Sequence, residues 1–240
     1  MGISAFFDID GTLYRNSLMV EHFKKLLKYE VLDPALWHNH VKSTYNNWDQ
    51  RQGNYDDYLL EIANLYIDSM KGLNKAQIDF IANQVIHLKG DRVYRYTREK
   101  IIWHQQQGHK VIFISGSPTH LVEKMANKYG VHDFKGTEYL IDDTGNFTGE
   151  IKQMWDSENK KEAMLFFKEK YNIHMDKSYA YGDTNGDFSM FEMVKYPIAI
   201  NPTKELIQNI QKNEEMKKKI QIIVERKDVI YQLSGDVNFF

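Results

Sequence analysis

From Lys110 onward, short apolar runs alternate with longer amphipathic segments, and this alternation is the strongest constraint on the fold. The apolar runs 110–115, 177–183 and 197–201 have the length of strands, and the segments between them repeat apolar residues with helical periodicity. Strands that alternate with helices build a parallel sheet, because each helix carries the chain back across the sheet. The sequence therefore predicts an α/β fold.

A separate strand and a helical module precede this region. Residues 3–7 are apolar and lead into the sequence DIDGT, which predicts a buried strand followed by a loop. Residues 16–90 show helical periodicity without a strand-like run, which predicts about three to five helices. A further helix is predicted over 93–108, with Gly108 as the residue that ends it.

Two more segments have strand-like patterns. Residues 135–151 alternate apolar and polar side chains around the turn sequence Thr-Gly-Asn, which predicts a β-hairpin. After Thr203 the chain carries a charged helical segment and then two strand-like runs, 220–225 and 229–233. We expect this tail to complete one edge of the sheet.

Charge and composition exclude several classes of function. The 240 residues include 31 basic and 33 acidic side chains, so net charge gives no argument for binding nucleic acid or an anionic membrane. The absence of cysteine excludes disulfides, thiolate catalysis and zinc–thiolate sites. No apolar run has the length of a transmembrane helix, and the first residues lack a signal-peptide pattern. We therefore expect a soluble cytoplasmic protein.

Polar residues cluster where predicted strands end, which is where α/β sheets place their sites. These clusters are 8–12, 115–117 and 182–187, and the pair Lys160 and Lys161 begins a predicted helix. Each has an ordinary structural interpretation, since acidic glycine-containing loops are common turns and paired lysines usually lie on a solvated helix face. Their occurrence together, each after a strand or at a helix start, favours one shared active site.

Together, the four clusters resemble the motif set of the haloacid dehalogenase superfamily, in its phosphoserine-phosphatase-like branch. The similarity covers FFDIDGTLY, VIFISGSP, ENKKEAML and YAYGDTNGDFSMFE, and extends to TEYLIDDTGNFTGEI and YPIAINP. It implies a Rossmann-like, three-layer core around a parallel sheet, with an inserted helical cap. Residues 1–15 and 91–240 would form the catalytic core, and residues 16–90 would form the cap.

The resemblance implies a phosphatase, and the chemistry of the motif residues is consistent with that activity. Asp8 would be the nucleophile that forms an aspartyl-phosphate, and Asp10 would act as general acid and base. Side chains alternate along a strand, so these two carboxylates could point the same way. Lys160 would stabilise the charge of the transferring group. Ser115 and the N–H group of Gly116 would bind phosphate oxygens.

A metal ion is the second implied component, with Mg²⁺ as the expected cofactor. Hard divalent cations prefer oxygen ligands. The resemblance implies that the carboxylates of Asp8 and Asp183 and the backbone carbonyl of Asp10 bind the ion. Asp187 would support these ligands, directly or through water. Without a cation, the acidic groups would repel a dianionic phosphate ester.

Two positions leave alternatives open. Lys161 could take the place of Lys160, although the spacing from Lys160 to Asp183 better resembles the family's. Ser17 stands where phosphoserine phosphatases carry a glutamate that faces the substrate's ammonium group, which argues against phosphoserine as the substrate. Arg15, close to that position, would suit a more anionic substrate.

The helical insert offers further candidates for substrate contacts. Its aromatic side chains are expected to pack between helices, although some could line a pocket; they are Trp37, Tyr45, Trp48, Tyr55 and Tyr58. Lys42 and Arg51 are candidate contacts to the part of the substrate that carries no phosphate.

The sequence thus favours an Mg²⁺-dependent phosphomonoester hydrolase that acts on a small phosphorylated metabolite through an aspartyl-phosphate. A phosphotransferase or mutase would use the same intermediate with an acceptor other than water. A non-catalytic regulatory protein built on this scaffold is a third class, which the complete set of motif residues argues against. Neither the substrate nor the oligomeric state is identified by the sequence.

Overall fold

A computed structural model describes residues 2–239, and over these residues the chain forms one eight-stranded sheet with apolar clusters on both faces. In chain order the strands are β1 (Ser4–Phe7), β2 (Lys110–Pro118), β3 (Asp133–Ile141), β4 (Phe147–Lys152), β5 (Tyr179–Gly182), β6 (Tyr196–Ile200), β7 (Gln221–Arg226) and β8 (Val229–Ser234). Their spatial order is β4-β3-β2-β1-β5-β6-β7-β8. Neighbours from β3 to β7 are parallel, and the two outer strands are antiparallel. The predicted α/β class is confirmed.

Helices connect the strands and form the insert after β1. They are α1 (Leu18–Lys28), α2 (Lys42–Asp49), α3 (Tyr55–Met70), α4 (Lys75–Lys89), α5 (Arg95–Gln106), α6 (Thr119–Tyr129), α7 (Ser157–Tyr171), α8 (Phe188–Met193), α9 (Lys204–Lys212) and α10 (Glu214–Lys219). A π-helical turn covers Trp37–Val41, and 3₁₀ turns cover Met175–Lys177 and Asn185–Asp187. Over residues 2–239, no helix combines the length and the apolar character needed to cross a membrane.

The central strand β1 is buried along its whole length, because side chains pack against both of its faces. Phe7 points to one face, where its ring stacks on that of Tyr181 with 4.1 Å between the ring centroids. Phe6 points to the other face and belongs to a cluster that includes Phe167. Burying one such phenylalanine contributes about 1.5 to 3 kcal/mol. This packing fixes the position of the residues that follow β1.

The insert has its own apolar cluster, distinct from the two on the sheet. Phe23 of α1, Ile62 of α3 and Ile78 of α4 belong to it. Tyr139 and Phe147, from the β3–β4 hairpin, also belong to it, so the hairpin extends this cluster beyond the helices. The boundaries that divide the core from the cap, at residues 15/16 and 90/91, stay predictions.

The second strand extends further than its apolar run predicts. The apolar residues end before Ser115, but β2 continues to Pro118. Pairing with β3 shifts register between Ile114 and Pro118, and the Thr137 hydroxyl donates a hydrogen bond to the Gly116 carbonyl (2.7 Å). The shifted pairing and this side-chain bond keep a polar segment in the sheet. The pattern of apolar residues in the sequence indicates neither of these two features.

The hairpin and the tail follow the sequence predictions. β3 and β4 pair as antiparallel strands, so the predicted hairpin is present, and it extends two residues before and one residue after the predicted range 135–151. The tail adds β7 in parallel to β6 and β8 in antiparallel to β7, so it completes one side of the sheet as expected. Ile222 and Ile223 of β7 point to opposite faces of the sheet, and both are buried.

Three buried polar side chains link the insert to the core helix α6. The Nδ1 atom of His22 lies 2.7 Å from the Tyr66 hydroxyl oxygen, which lies 3.3 Å from the Nε2 atom of His120. Burial lowers the pKa of His22 to about 4, and burial also lowers the pKa of His120. Both imidazoles are therefore neutral at pH 7.

We expect acid to destabilise the fold through His22. Its pKa is lower in the folded chain than the ordinary value of 6.5, so the unfolded chain binds more protons as the pH falls. The stability contributed by the neutral imidazole is fully present above pH 6.5 and is lost progressively toward about pH 4. At pH 5 the loss should be about 1 to 2 kcal/mol.

The test compares His22→Gln with wild type by urea denaturation at pH 7 and pH 5. The free energy of unfolding should fall less between these two pH values in the variant, because position 22 no longer titrates. His87→Gln, at an exposed histidine, is the matched control and should keep the wild-type pH dependence. An unchanged pH dependence in His22→Gln would contradict this account.

Candidate active site

The motif clusters meet at the carboxyl edge of the sheet, because β1, β2 and β5 are parallel and adjacent. Asp8 directly follows β1, and Asp183 directly follows β5. Asp156 caps α7, since its carboxylate accepts a hydrogen bond from the Asn159 N–H group (2.9 Å). Lys160 therefore lies near the start of α7, close to both strand ends.

Lys160 is the centre of a buried ion-pair network. Its Nζ atom lies 2.9 Å from Asp8 Oδ1 and 2.5 Å from Asp187 Oδ1. Burial alone would lower the pKa of Lys160, but the negative charges of Asp187 and Asp8 hold that pKa above its ordinary value. Lys161 is exposed. The geometry thus places Lys160, and not Lys161, among the carboxylates.

Three carboxylates crowd around this lysine. Oxygen atoms of Asp8, Asp183 and Asp187 lie within 4.8 Å of one another, and all three residues are buried. Burial raises the pKa of Asp8 to about 7; Lys160 opposes this rise, whereas Asp187 adds to it. Burial and the charges of Asp8 and Asp187 raise the pKa of Asp183 as well. A buried set of carboxylates that lacks enough positive charge fits a hard divalent cation.

Asp187 also organises the loop that follows β5. Its Oδ2 atom accepts hydrogen bonds from the N–H groups of Asp183 (3.0 Å) and Thr184 (3.1 Å). A Cβ atom at Gly182 would overlap the Asp187 side chain. Asp187 therefore contributes a negative charge to the site and fixes the backbone that carries Asp183.

The glycine of the first motif lets two loops approach each other. Gly11 has φ +80°, in the left-handed region, and a Cβ atom there would overlap the Asp183 carboxylate. The next residue, Thr12, donates a hydrogen bond from its hydroxyl to Asp183 Oδ1 (2.9 Å). Gly11 and Thr12 thus join the loop after β1 to the loop after β5.

Asp10 is held by a different set of partners, outside the carboxylate cluster. Its Oδ1 atom accepts a hydrogen bond from the Leu18 N–H group (2.9 Å), and its Oδ2 atom accepts one from the Ser117 hydroxyl (2.6 Å) and one from the Ser17 hydroxyl (3.2 Å). Burial raises the pKa of Asp10, and the bonds from Ser117, Leu18 and Ser17 oppose that rise. A raised pKa and a fixed orientation both suit a carboxyl group for proton transfer.

At the polar end of β2, one residue is buried in the protein and the next two line a cavity. The Ser115 hydroxyl is buried and accepts a hydrogen bond from the Ser117 N–H group (3.2 Å). Gly116 and Ser117 line the cavity above Asp8. Ser117 belongs to the predicted cluster 115–117, but the sequence assigned it no role; in the structure its hydroxyl binds Asp10. The role of Ser115 in phosphate binding stays a prediction.

A cavity of about 380 Å³ lies between these residues and the insert. Asp8, Asp10 and Lys160 form its charged end. Further residues line the rest, several of which the sequence analysis did not identify: Ser17, Met19, Leu59, Leu60, Ala63, Trp155, Thr184, Asn185, Gly186 and Glu205. The apolar members had no distinguishing signal, because leucines on an amphipathic helix ordinarily pack in a core.

The other charged candidates for substrate contacts lie away from the cavity. Within residues 2–239, Arg15, Lys42 and Arg51 are exposed and do not line it. The predicted packing of the aromatic side chains is confirmed by ring-to-ring contacts, which join Trp37, Tyr45, Trp48, Tyr55 and Tyr58.

Replacing the buried lysine should destabilise the fold strongly. Lys160→Met leaves the Asp8 and Asp187 carboxylates without their cation, and removing one partner of a buried pair costs about 3 to 5 kcal/mol. The measurement is urea denaturation at pH 7 without added metal. Lys161→Met is the matched control, because the same exchange at an exposed neighbour should change stability by less than about 0.5 kcal/mol. An equal free energy of unfolding for both variants would show that the ion pairs of Lys160 contribute nothing to stability.

Comparisons with known proteins agree with this geometry. The family model described as haloacid dehalogenase-like hydrolase matches residues 5–192. A protein of Streptomyces azureus named for inhibition of morphological differentiation is 25% identical over 205 residues, which cover 85% of this chain and 73% of that protein. A histidinol-phosphatase of Neisseria meningitidis is 23% identical over 207 residues, covering 84% of this chain and 91% of the enzyme.

A solved structure shares the fold. It is a phospho-aspartyl intermediate analogue of phosphoserine phosphatase, with a TM-score of 0.61 and 20% sequence identity, and the likeness covers 95% of each chain. The family match spans most of the chain and includes all four motif clusters. The resemblance noted in the motifs is thereby confirmed, and the chain belongs to the haloacid dehalogenase-like hydrolase family.

Proposed function

We propose that this protein is an Mg²⁺-dependent phosphatase that hydrolyses a small phosphomonoester through an aspartyl-phosphate on Asp8. The observation that carries the proposal is the buried contact between Lys160 and Asp8 beside the carboxylates of Asp183 and Asp187. Such an arrangement supplies a nucleophile, a fixed positive charge and oxygen ligands at one end of a cavity. Membership of a hydrolase family supports it.

The carboxylates of Asp8 and Asp183 and the backbone carbonyl of Asp10 would hold the metal ion, with Asp187 supporting them. The fit rests on the buried donor set. Burial, together with the charges of neighbouring carboxylates, raises the pKa of Asp8 and of Asp183, and a bound cation would offset both effects. When bound, Mg²⁺ would neutralise charge on the nucleophile and on the phosphate dianion.

The chain's own residues account for the covalent steps. A carboxylate oxygen of Asp8 attacks phosphorus, and the bond from phosphorus to the ester oxygen breaks. Asp10 gives its proton to the leaving alkoxide. Asp10 then takes a proton from water, whose oxygen attacks the phosphorus of the aspartyl-phosphate. The bond from phosphorus to the Asp8 oxygen breaks, which releases inorganic phosphate and restores the Asp8 carboxylate.

Hydrogen bonds prepare these groups for their roles. The Leu18 N–H group and the Ser117 hydroxyl orient the Asp10 carboxyl group. In this orientation Asp10 can give a proton to the leaving alkoxide and later take one from water. Lys160 holds the Asp8 carboxylate in place and would offset the charge of the transferring group. Gly116 would offer its N–H group to a phosphate oxygen from the cavity wall.

Asp8→Asn should lower the release of phosphate from 4-nitrophenyl phosphate by about 1,000-fold or more, because the amide is not a nucleophile. The assay is run with Mg²⁺ at pH 7 and measures free phosphate. Asp143→Asn, at an exposed loop residue, is the control and should keep wild-type activity. Full activity of Asp8→Asn would refute the mechanism.

The same assay separates hydrolysis from transfer. With glycerol added, a hydrolase releases one phosphate for each 4-nitrophenol, because water takes the phosphoryl group. A phosphotransferase or mutase would instead release less phosphate than 4-nitrophenol. Absence of any Asp8-dependent turnover on a panel of phosphomonoesters would favour the non-catalytic alternative.

Mg²⁺ should stabilise the folded protein, since a ligand that binds only the folded state adds about 2.7 kcal/mol at 100 times its dissociation constant. We expect a rise in the melting temperature with Mg²⁺ that EDTA reverses. In Asp183→Asn the same concentrations should give a much smaller rise, because one carboxylate ligand is lost, and calorimetry should show at least about tenfold weaker binding. If Mg²⁺ did not change the melting temperature of the wild-type protein, this would contradict the proposed metal site.

A further inference from the structure

We propose that the preferred substrates are phosphate monoesters of uncharged alcohols with an apolar body of several carbon atoms, which binds between α3 and Trp155. This inference rests on the proposed phosphatase activity and adds the chemistry of its leaving group. The observations that carry it concern the walls of the cavity beyond the carboxylates.

The first wall is a second apolar face of α3. Ile62 and Tyr66 are fully buried in the cluster of the insert. Leu59, Leu60 and Ala63 line the cavity instead, although Leu59 and Ala63 also touch the edge of that cluster. Leu60 is 59% exposed and does not belong to the described cluster. When an apolar group of a ligand covers an exposed leucine, apolar surface is removed from water, and this favours binding.

Trp155 supplies a second wall, from the segment between β4 and α7. Its backbone passes close to two glycines, because a Cβ atom at Gly116 would lie 2.8 Å from the Trp155 Cβ atom, and one at Gly186 would overlap the Trp155 carbonyl oxygen. Both glycines line the cavity. They let Trp155 sit against the phosphate end, where its side chain, 37% exposed, extends the apolar surface.

Charges in the cavity disfavour an additional anionic group on the substrate. Among the described lining residues, the charged ones are Asp8, Asp10, Glu205 and Lys160. Lys160 already pairs with Asp8, so its charge is not free for a second anion. A leaving group with a carboxylate or a second phosphate would meet like charge. An uncharged apolar group avoids that repulsion and covers Leu60.

The size of the cavity suits a leaving group of this kind. A volume of about 380 Å³ falls within the range of small-molecule sites, which is about 300 to 1,000 Å³. The phosphate takes the charged end, and the remaining space adjoins Met19, Leu59 and Leu60. Each methylene group buried there should improve transition-state binding by up to about fourfold in kcat/KM.

The test measures kcat/KM for ethyl, butyl and hexyl phosphate with Mg²⁺, using free phosphate as the readout. We expect hexyl phosphate to exceed ethyl phosphate by about 15-fold or more, from roughly a twofold gain at each of four methylene groups. Phosphoserine and glycerol 3-phosphate should fall below butyl phosphate. Asp8→Asn is included to prove that every signal comes from this site.

Two variants locate the effect on α3. Leu60→Asn should lower the ratio of kcat/KM for hexyl over ethyl phosphate by at least about threefold, and Leu60→Met should restore most of it. Leu88→Asn is the matched control, because Leu88 is also 59% exposed but lies on α4 outside the cavity lining. It should leave the ratio at the wild-type value.

The outcomes separate the two proposals. Asp8-dependent hydrolysis with no gain in kcat/KM from ethyl to hexyl phosphate would overturn the apolar leaving group and leave the phosphatase intact. The same applies if phosphoserine exceeds hexyl phosphate, or if Leu60→Asn and Leu88→Asn have equal ratios. No Asp8-dependent phosphate release from any ester would overturn the phosphatase, and this inference with it.

Discussion

The buried positive charge of Lys160 is the interaction on which the rest of the site depends. One Nζ atom pairs with Asp8, at the end of the central strand, and with Asp187, in the loop after the neighbouring strand. Asp187 in turn holds the N–H groups of Asp183 and Thr184. Desolvating these charges is costly unless each one is paired. The network therefore fixes three chain segments at one edge of the sheet, and a deficit of positive charge is left beside them.

The two ends of the cavity have different origins. Residues at the strand ends form the charged end of the cavity. Hydrogen bonds within the sheet and the short loops after the strands fix the positions of these side chains. The opposite side comes from α1 and α3, which pack in a separate apolar cluster together with the β3–β4 hairpin. Residues on this side can change without disturbing the ion pairs. Under the proposed function, the strand ends supply the reacting groups, and the insert together with Trp155 contacts the alcohol.

The parts of the structure that could be predicted are those with local signals. Alternation of strands and helices predicted the α/β sheet, and the acidic residues at strand ends indicated where Asp8 and Asp183 would meet. The cavity-facing role of Leu60 had no such signal, because leucines that face a cavity and leucines that face a core share one periodicity. Ser17 and Ser117 were missed as partners of Asp10 for another reason. Ser117 is 107 residues from Asp10 along the chain. Ser17 is close in sequence, but its hydroxyl reaches Asp10 only because the loop after β1 folds back, which its residue type does not indicate.

The hydrogen bond from Leu18 to Asp10 has a mechanical consequence. Leu18 is the first residue of α1, so the carboxyl group assigned to proton transfer is attached to the first turn of the insert. Any hinge-like displacement of α1 must either break this bond or pull Asp10 along with it. Under the proposed mechanism, movement of α1 that admits the substrate would therefore also change the orientation of the acid, through the Leu18 N–H group and the Ser17 hydroxyl.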